Sequence, residues 1–390
     1  MRRAAVGLVL FVTFCTPVAI GASQAEPPVS ADQVRAAIGQ LGTLEFQIRN
    51  TAASTIRRAP AEVAVPALLQ AARDHADGYV RFRALVLLSG FNDPRTRDVM
   101  AQMLGEKNDR LRSVAYTWFE HNADKPIVSR LLEAAGREES EFVRPALMRA
   151  LAAYGADPAV RTAMTALVMR GQAFFRSVVI EALGDYRAAY AIKPITEVAV
   201  INGPLQDDAA LALGKIGDKA SLPALADLQR SAPRESQPAI AAAICLLGVN
   251  CASHHPYITR SLEFAIANPG FQELLRGSAT ALAMLGVSGR KDAVVELIEL
   301  GAPTRDPARA AIALALGTVA LRNPTNMLDV LERDFLLTPG TDLLREAFDM
   351  LEEDFEEERF FVTVRRAYWQ AAEGSARRKA AEKLIKALEF

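Results

Sequence analysis

The chain has 390 residues, 51% of them hydrophobic and 23% charged, with 45 basic against 46 acidic side chains and a net charge of −1. That balance gives no electrostatic basis for nucleic-acid binding, which needs a cationic surface to release counterions from phosphates. Length alone predicts two or three globular domains, a prior that the internal periodicity described below overrides.

The chain opens with Met1-Arg2-Arg3, an apolar stretch from Ala4 to about Ala22, and Ser23-Gln24-Ala25 ahead of Glu26-Pro27-Pro28. A charged n-region, an apolar h-region and a small-residue cleavage site define a secretory signal peptide, residues 1–25, cut after Ala25. The alternative is an uncleaved anchor, against which Pro17 and the hydroxyl and thiol residues weigh. The Arg pair lacks the fuller twin-arginine signal, and bulky Phe14 before Cys15 argues against a lipoprotein. Cleavage removes two Arg and no acid, leaving a net charge of −3. The expectation is an exported protein, periplasmic or secreted, with no membrane span after cleavage.

Residues 26–44 read as an N-terminal helical cap, and residues 45–390 as an array. Equivalent positions fall at Arg49, Arg81, Arg112, Arg144, Arg176, Asp208, Ala239, Arg276, Arg309, Arg345 and Arg377, at intervals of 31–33 except for 37 after Ala239 and 36 after Arg309. A fixed period of this size is the signature of a solenoid, in which each unit buries its apolar face against its neighbours. One unit is clear in residues 205–230: Leu205 to Leu213, the turn Gly214-Lys215-Ile216-Gly217-Asp218, then Leu222 to Leu228. Two amphipathic segments flanking a Gly-punctuated turn predict a helical hairpin. Asp157-Pro158, Asn268-Pro269 and Asp306-Pro307 read as helix starts. Gly90, Gly155, Gly184, Gly248, Gly286 and Gly317 read as left-handed terminators of the Arg-bearing helices. The predicted class is all-α, an α-solenoid of about ten to eleven hairpins.

The stretch Ala209-Ala210-Leu211-Ala212-Leu213-Gly214-Lys215-Ile216-Gly217-Asp218 resembles the short HEAT repeat of bacterial proteins, the type found in phycobilisome lyases, and the resemblance covers roughly residues 45–390. It implies an armadillo-like superhelix and says little about activity. Deoxyhypusine hydroxylases of HEAT-like fold bind iron through His-Glu pairs, whereas here His75, His121, His254 and His255 are followed by Ala76, Asn122, His255 and Pro256. HEAT-like DNA glycosylases need basic surfaces inside the cell. No bilin-handling residue of the lyases carries over.

Several column arginines follow an acid by three or four residues: Asp77 before Arg81, Asp109 before Arg112, Glu141 before Arg144, Asp306 before Arg309, and Asp342 before Arg345. Each acid lies near a helix start, where it can cap and also reach an Arg one turn on or in the next unit, so Arg81, Arg112, Arg144, Arg176, Arg276, Arg309 and Arg345 are expected to form a structural ladder of paired charges between hairpins. The family resemblance implies the same structural role.

The longer intervals hold the irregular features. The first contains Cys245, Cys251, His254 and His255. In an exported chain Cys245 and Cys251 are expected to form a local disulfide, with two free thiols or a metal site using all four residues as alternatives. The second contains Asp334 to Thr341, expected as an apolar-rich turn. Next comes Glu352-Glu353-Asp354-Phe355-Glu356-Glu357-Glu358, six acids in seven residues, expected as a solvated helix face. Phe360, Phe361, Tyr368 and Trp369 are expected in the core, and residues 380–390 form an amphipathic terminal cap.

No phosphate loop, nucleophile elbow, metalloprotease helix or zinc-finger spacing occurs. The expected function is a non-enzymatic, exported HEAT-repeat scaffold with no cofactor, binding a protein partner through its curved surface. The alternatives are a metal- or redox-active envelope protein using the Cys245/Cys251/His254/His255 cluster, or a lyase-like HEAT enzyme.

Overall fold

A computed structural model describes residues 28–351 and 354–390; the expected signal peptide, Glu352 and Glu353 lie outside the described residues. Among the described residues there are 22 α-helices and no strand, so the fold is an all-α solenoid. α1 (Ala31–Gln40) leads the stack, opened by a capping box in which Ser30 Oγ accepts from Gln33 N–H and Gln33 Oε1 accepts from Ser30 N–H.

An inner layer contains α2 (Phe46–Arg58), α4 (Gly78–Ser89), α6 (Asp109–His121), α8 (Arg144–Ala153), α10 (Ala173–Asp185), α12 (Gln206–Ile216), α14 (Gln237–Leu246), α16 (Gln272–Val287), α18 (Ala308–Arg322) and α20 (Asp334–Met350). The outer layer contains α3 (Ala61–Asp74), α5 (Thr96–Met103), α7 (Val128–Ala135), α9 (Pro158–Val168), α11 (Ile192–Ala199), α13 (Leu222–Ser231), α15 (Cys251–Ala267), α17 (Lys291–Gly301) and α19 (Pro324–Leu331). α21 (Asp354–Gln370) and α22 (Ala376–Ala387) close the chain. Successive inner helices pack closely side by side, while outer helices touch one another sparsely.

The reason lies in small residues. A Cβ on Gly214 would stand 2.5 Å from Ala243 Cα, and one on Gly184 2.8 Å from Ala212 Cα. These glycines are helical and allow backbones to approach: Gly184 is not the expected left-handed terminator, and Gly214 lies inside α12 where a turn is expected. Only Gly248 of the six has a positive φ, at 74°. The residue that follows α12, Gly217, is the left-handed cap of that helix.

Two further expectations change. Asp334 to Thr341 is no turn but the first half of α20, with Leu336, Gly340 and Thr341 buried. Burial of Leu336, Leu343 and Leu344 outweighs the roughly 3 kcal/mol that an interior proline, Pro339, costs a helix. Asn268 does not start α16: its side chain donates to the Phe264 carbonyl at 2.7 Å and closes α15. Asp157 does cap α9, accepting from Ala159 and Val160 N–H.

The Arg column does more than pair charges between hairpins. Its recurrent partner is the carbonyl at the end of the preceding helix or turn. Arg81 Nε donates to the Ala72 carbonyl at 3.0 Å, Arg112 Nη1 to those of Glu106 and Lys107, and Arg144 Nε to that of Glu138. Arg176 Nε donates to the Val168 carbonyl at 2.8 Å and Arg309 Nη1 to that of Ala302 at 2.8 Å. The last carbonyls of a helix lack intrahelical donors, and a long side chain near a helix start leans back toward that end.

The local acids expected as partners serve elsewhere. Asp77 caps its own helix by accepting from Tyr79 N–H, and the carboxylates that pair with column arginines come from farther along: Glu106 with Arg81, Glu138 with Arg112, Glu346 with Arg309. Among the described residues, Arg276 pairs locally with Glu273 and Arg345 with Asp342, and both arginines are exposed. Where the column lacks Arg, a glutamine two residues earlier takes over. Gln206 Nε2 donates to the Ala199 carbonyl at 3.0 Å, and Gln237 Nε2 to that of Ala232 at 2.9 Å.

Arg112→Ala removes bonds to two turn carbonyls and to Glu138, so we expect it to lower stability by about 2–4 kcal/mol, whereas exposed Arg276→Ala changes it by about 0–0.5 kcal/mol. Urea denaturation of the two variants checks this; equal losses would overturn the carbonyl-clamp role.

Candidate functional site

The acidic run is the largest departure from expectation. Glu356 and Glu358 are buried, at 4% and 1% exposure. On a helix Glu356 shares a face with Phe360, and Glu358 with Phe355 and Phe361, at spacings of three or four. A helix built this way has no purely solvated acidic side, which is the signal in the sequence that the solvated-face expectation overlooks.

α21 runs along the inner layer, touching α4 and α6 near the start of the chain and α18 and α19 near its end. Phe355 belongs to the N-terminal apolar core and Phe360 and Val364 to the C-terminal one. Phe361 stacks on Phe390 at 3.9 Å, and Asn50 and Gln47 of α2 bond to Glu389. The two ends of the solenoid therefore meet. Trp369, expected in the core, is 75% exposed.

Beneath α21 the C-terminal ends of the inner helices converge in a polar hub. Glu356 accepts from Arg359 at 2.6 Å and Arg322 at 3.4 Å, and lies 2.9 Å from His121 Nε2. Glu120, with its side chain fully buried, accepts from Arg149 and from the Tyr186 hydroxyl, each at 2.7 Å. Asp185 accepts from Lys215 at 2.8 Å and from Arg149. A second buried cluster binds the ends directly: Arg57 of α2 holds Glu358 through Nη2 at 2.6 Å and Nε at 2.9 Å, with Arg365 at 3.2 Å.

Electrostatics decide the protonation here. Burial pushes the Glu356 carboxyl up, but its hydrogen bond with His121 and the charge of Arg322 outweigh that and hold it at about 2. Burial likewise raises Asp185, and Lys215 and Arg149 hold it below the usual carboxylate range. Burial raises the Tyr186 phenol, and the Glu120 charge raises it further, so it remains a hydrogen-bond donor.

Glu120, His121 and Glu356 offer ligand atoms that all lie within 4.8 Å of one another, close enough for one metal ion. The surrounding charge argues against that use. Arg149, Arg322 and Arg359 already neutralise the two carboxylates, and a divalent cation would add two charges beside three guanidinium groups. We read the trio as an ion-pair network.

The cluster singled out in the sequence does not converge. Cys245 and Cys251 are joined as a disulfide, with Cα atoms 4.4 Å apart. His254 faces Gln229 of α13, while His255 Nε2 lies 2.9 Å from Glu296 of α17. Consecutive residues on α15 thus serve opposite neighbours, and the four side chains form no common ligand set. Cys251 and His255 line a cleft of about 420 Å³ between α15 and α17, together with Arg260, Arg290, Asp292 and Glu296.

No family model matches the sequence, and no curated protein matches it. Solved structures similar to this chain include the Escherichia coli protein YibA, at 19% identity and a TM-score of 0.42 over 56% of this chain and 81% of that one. The CpcE–CpcF complex of phycocyanin lyase from Nostoc is similar at 18% identity and 0.36, over 59% and 92%. Human deoxyhypusine hydroxylase is similar at 18% and 0.28, over 56% and 96%. The lyase and the hydroxylase are HEAT-like helical folds.

The depressed Glu356 carboxyl stabilises the fold fully above the ordinary value of 4.5, and that contribution is lost as pH falls toward about 2. Acid titration of stability should show this loss in the wild-type protein and a shallower slope in Glu356→Gln; identical slopes would remove Glu356 from the hub.

Proposed function

We propose that this chain is an exported, non-enzymatic HEAT-repeat scaffold that binds a protein partner. One observation carries the reading. Among the described residues, nine of twelve large exposed hydrophobics sit at the starts of inner helices or in the turns leading into them: Leu44, Phe46, Phe142, Met169, Phe174, Val200, Ile201, Phe271 and Phe335. α8, α10 and α12 lie side by side, so Phe142, Phe174 and Ile201 follow one another along a single edge. Phe142 is 89% exposed. A rim of apolar side chains repeated with the solenoid period supports protein contact. Export is supported by the arrangement of residues 1–25 and by the Cys245–Cys251 disulfide, a bond of oxidising compartments. No helix among the described residues is long and apolar enough to cross a membrane.

A second reading, thiol–disulfide exchange, is favoured by one feature. Cys251 opens α15 and lines the cleft, while Cys245 is buried at 6% exposure, so an incoming thiol reaches Cys251 alone. A helix start favours thiolate there. After reduction Cys251 should alkylate faster than glutathione in Cys245→Ser; an equal rate rejects this reading.

For the scaffold, immobilised mature protein is compared with a Phe142→Ser/Phe174→Ser/Ile201→Ser variant in gentle capture from envelope extracts. A protein held by the wild type and lost from the variant is expected, and no difference between the two overturns the rim. Residues 1–30 fused to alkaline phosphatase should yield enzyme active outside the cytoplasm; an inactive, retained fusion overturns export.

A further inference from the structure

The inner face of the stack already holds one helix, and the residues that hold it describe the kind of helix it accepts. Around α21 the stack presents Arg57 from α2, Arg149 from α8, Lys215 from α12 and Arg322 from α18, against the carboxylates of Glu120 and Asp185. Without α21 this surface carries four cations and two carboxylates, a surplus of two positive charges. Glu356 and Glu358 answer that surplus, Glu356 meeting Arg322 and Glu358 meeting Arg57, while α21's own Arg359 and Arg365 share the same two carboxylates. The Arg57 side chain is 5% exposed and its Nη1 has no hydrogen-bond partner, so the surface has donor capacity beyond what α21 uses.

Apolar contacts complete the recognition. Phe355 stacks parallel to the His121 ring and enters the N-terminal core, while Phe360 and Val364 enter the C-terminal core. At about 100° per residue, the arc from Glu356 through Phe360, Val364, Phe361 and Glu358 to Phe355 spans about 260°, and exposed Arg359 and Arg366 fall on the remaining side. A helix gripped over that much of its circumference lies in a groove.

We propose that this groove is a receptor for an acidic amphipathic helix, that α21 is its occupant in cis, and that a partner protein displaces α21 with a helix of the same design. That design is an aromatic residue followed at once by Glu, a second Glu three positions after the aromatic, then an aromatic and an aliphatic residue five and nine positions after it. The inference rests on the protein-binding reading above and adds the chemistry of the ligand. A tethered occupant has an effective concentration on the order of millimolar, so the closed form resists weak competitors and admits a partner only when it binds better or α21 is loosened.

The test uses full-length mature protein and a fluorescein-labelled synthetic peptide of residues 354–370, read by anisotropy. A Glu356→Gln/Glu358→Gln protein, whose own α21 is weakened, should bind the peptide at least about tenfold more tightly than wild type. The same peptide with Glu356 and Glu358 replaced by Gln should bind that variant at least about tenfold more weakly than the acidic peptide. Equal affinity of the acidic peptide for the two proteins, or of the two peptides for the variant, overturns the proposal. A variant that dimerises and leaves the peptide unbound overturns it in favour of α21 exchange between copies.

Should the double variant fail to fold, hydrogen exchange of the wild type with millimolar peptide decides: amides of α21 lose protection while those of α8, α10 and α12 keep theirs, and unchanged protection of α21 rejects the receptor. Because the probe is the chain's own helix, a negative result leaves capture by the apolar rim standing. Loss of rim capture likewise leaves the peptide result standing.

Discussion

Inner helices that touch backbone to backbone, beside outer helices held farther apart, can stack only along a curve. The contact of Gly214 with Ala243, and that of Gly184 with Ala212, bring neighbouring inner helices as close as backbone atoms allow. Outer helices carry Leu, Val and Met on their buried faces, such as Leu68, Met100, Met164 and Leu225, and stand farther apart. The curvature that follows draws the ends of the chain together. It is why Arg57 can meet Glu358 across 301 residues of sequence.

Curvature also sorts the two ends of every inner helix into different chemistry. The C-terminal ends gather in the hub, where unpaired carbonyls and the negative end of the helix dipole favour cations. Lys215 lies in the last turn of α12 and Arg322 ends α18, as that rule requires. Glu120 and Asp185 sit at the same disfavoured ends and are accommodated through Arg149 and Lys215. α21 enters with the opposite polarity: Glu356 lies in its first turn, where a carboxylate is favoured, and meets His121 and Arg322 at the last residues of α6 and α18. Helix ends of opposite sign therefore face each other across the hub.

The N-terminal ends have no such convergence. They form an open edge, and along it the chain places Phe142, Phe174 and Ile201 in successive units. The molecule thus has a closed polar interior, filled by its own acidic helix, and an exposed apolar rim. Under the proposed protein-binding role, the rim and the closed interior would serve as separate surfaces. Opening the interior requires a competitor for buried carboxylates, and breaking such pairs one side at a time costs about 3–5 kcal/mol.

The repeat was legible in the sequence because a solenoid is built from nearest-neighbour contacts, and the phrase around each column position repeats with them. Helix class, hairpin units and several starts such as Asp157-Pro158 follow from local rules of capping and periodicity. The role of the column was only half legible. Arg at a fixed place in each unit marks a structural position, but its partners, a carbonyl behind it and Glu106, Glu138 or Glu346 ahead, depend on how far one helix stands from the next. The helix over 334–341 was missed because Pro and Gly signal a break locally, while burial of Leu336, Leu343 and Leu344 is decided by neighbouring units. Above all, a run of acids reads as solvated when only its own residues are counted. That Glu356 and Glu358 are buried was decided by closure of the curved stack, which brings Arg57 of α2, His121 of α6 and Arg322 of α18 to a helix more than 230 residues away from the first two. Sequence determined the unit and its period; the tertiary structure alone decided what the two ends of the chain are to each other, since charge pairing across that distance depends on accumulated curvature that no single repeat encodes.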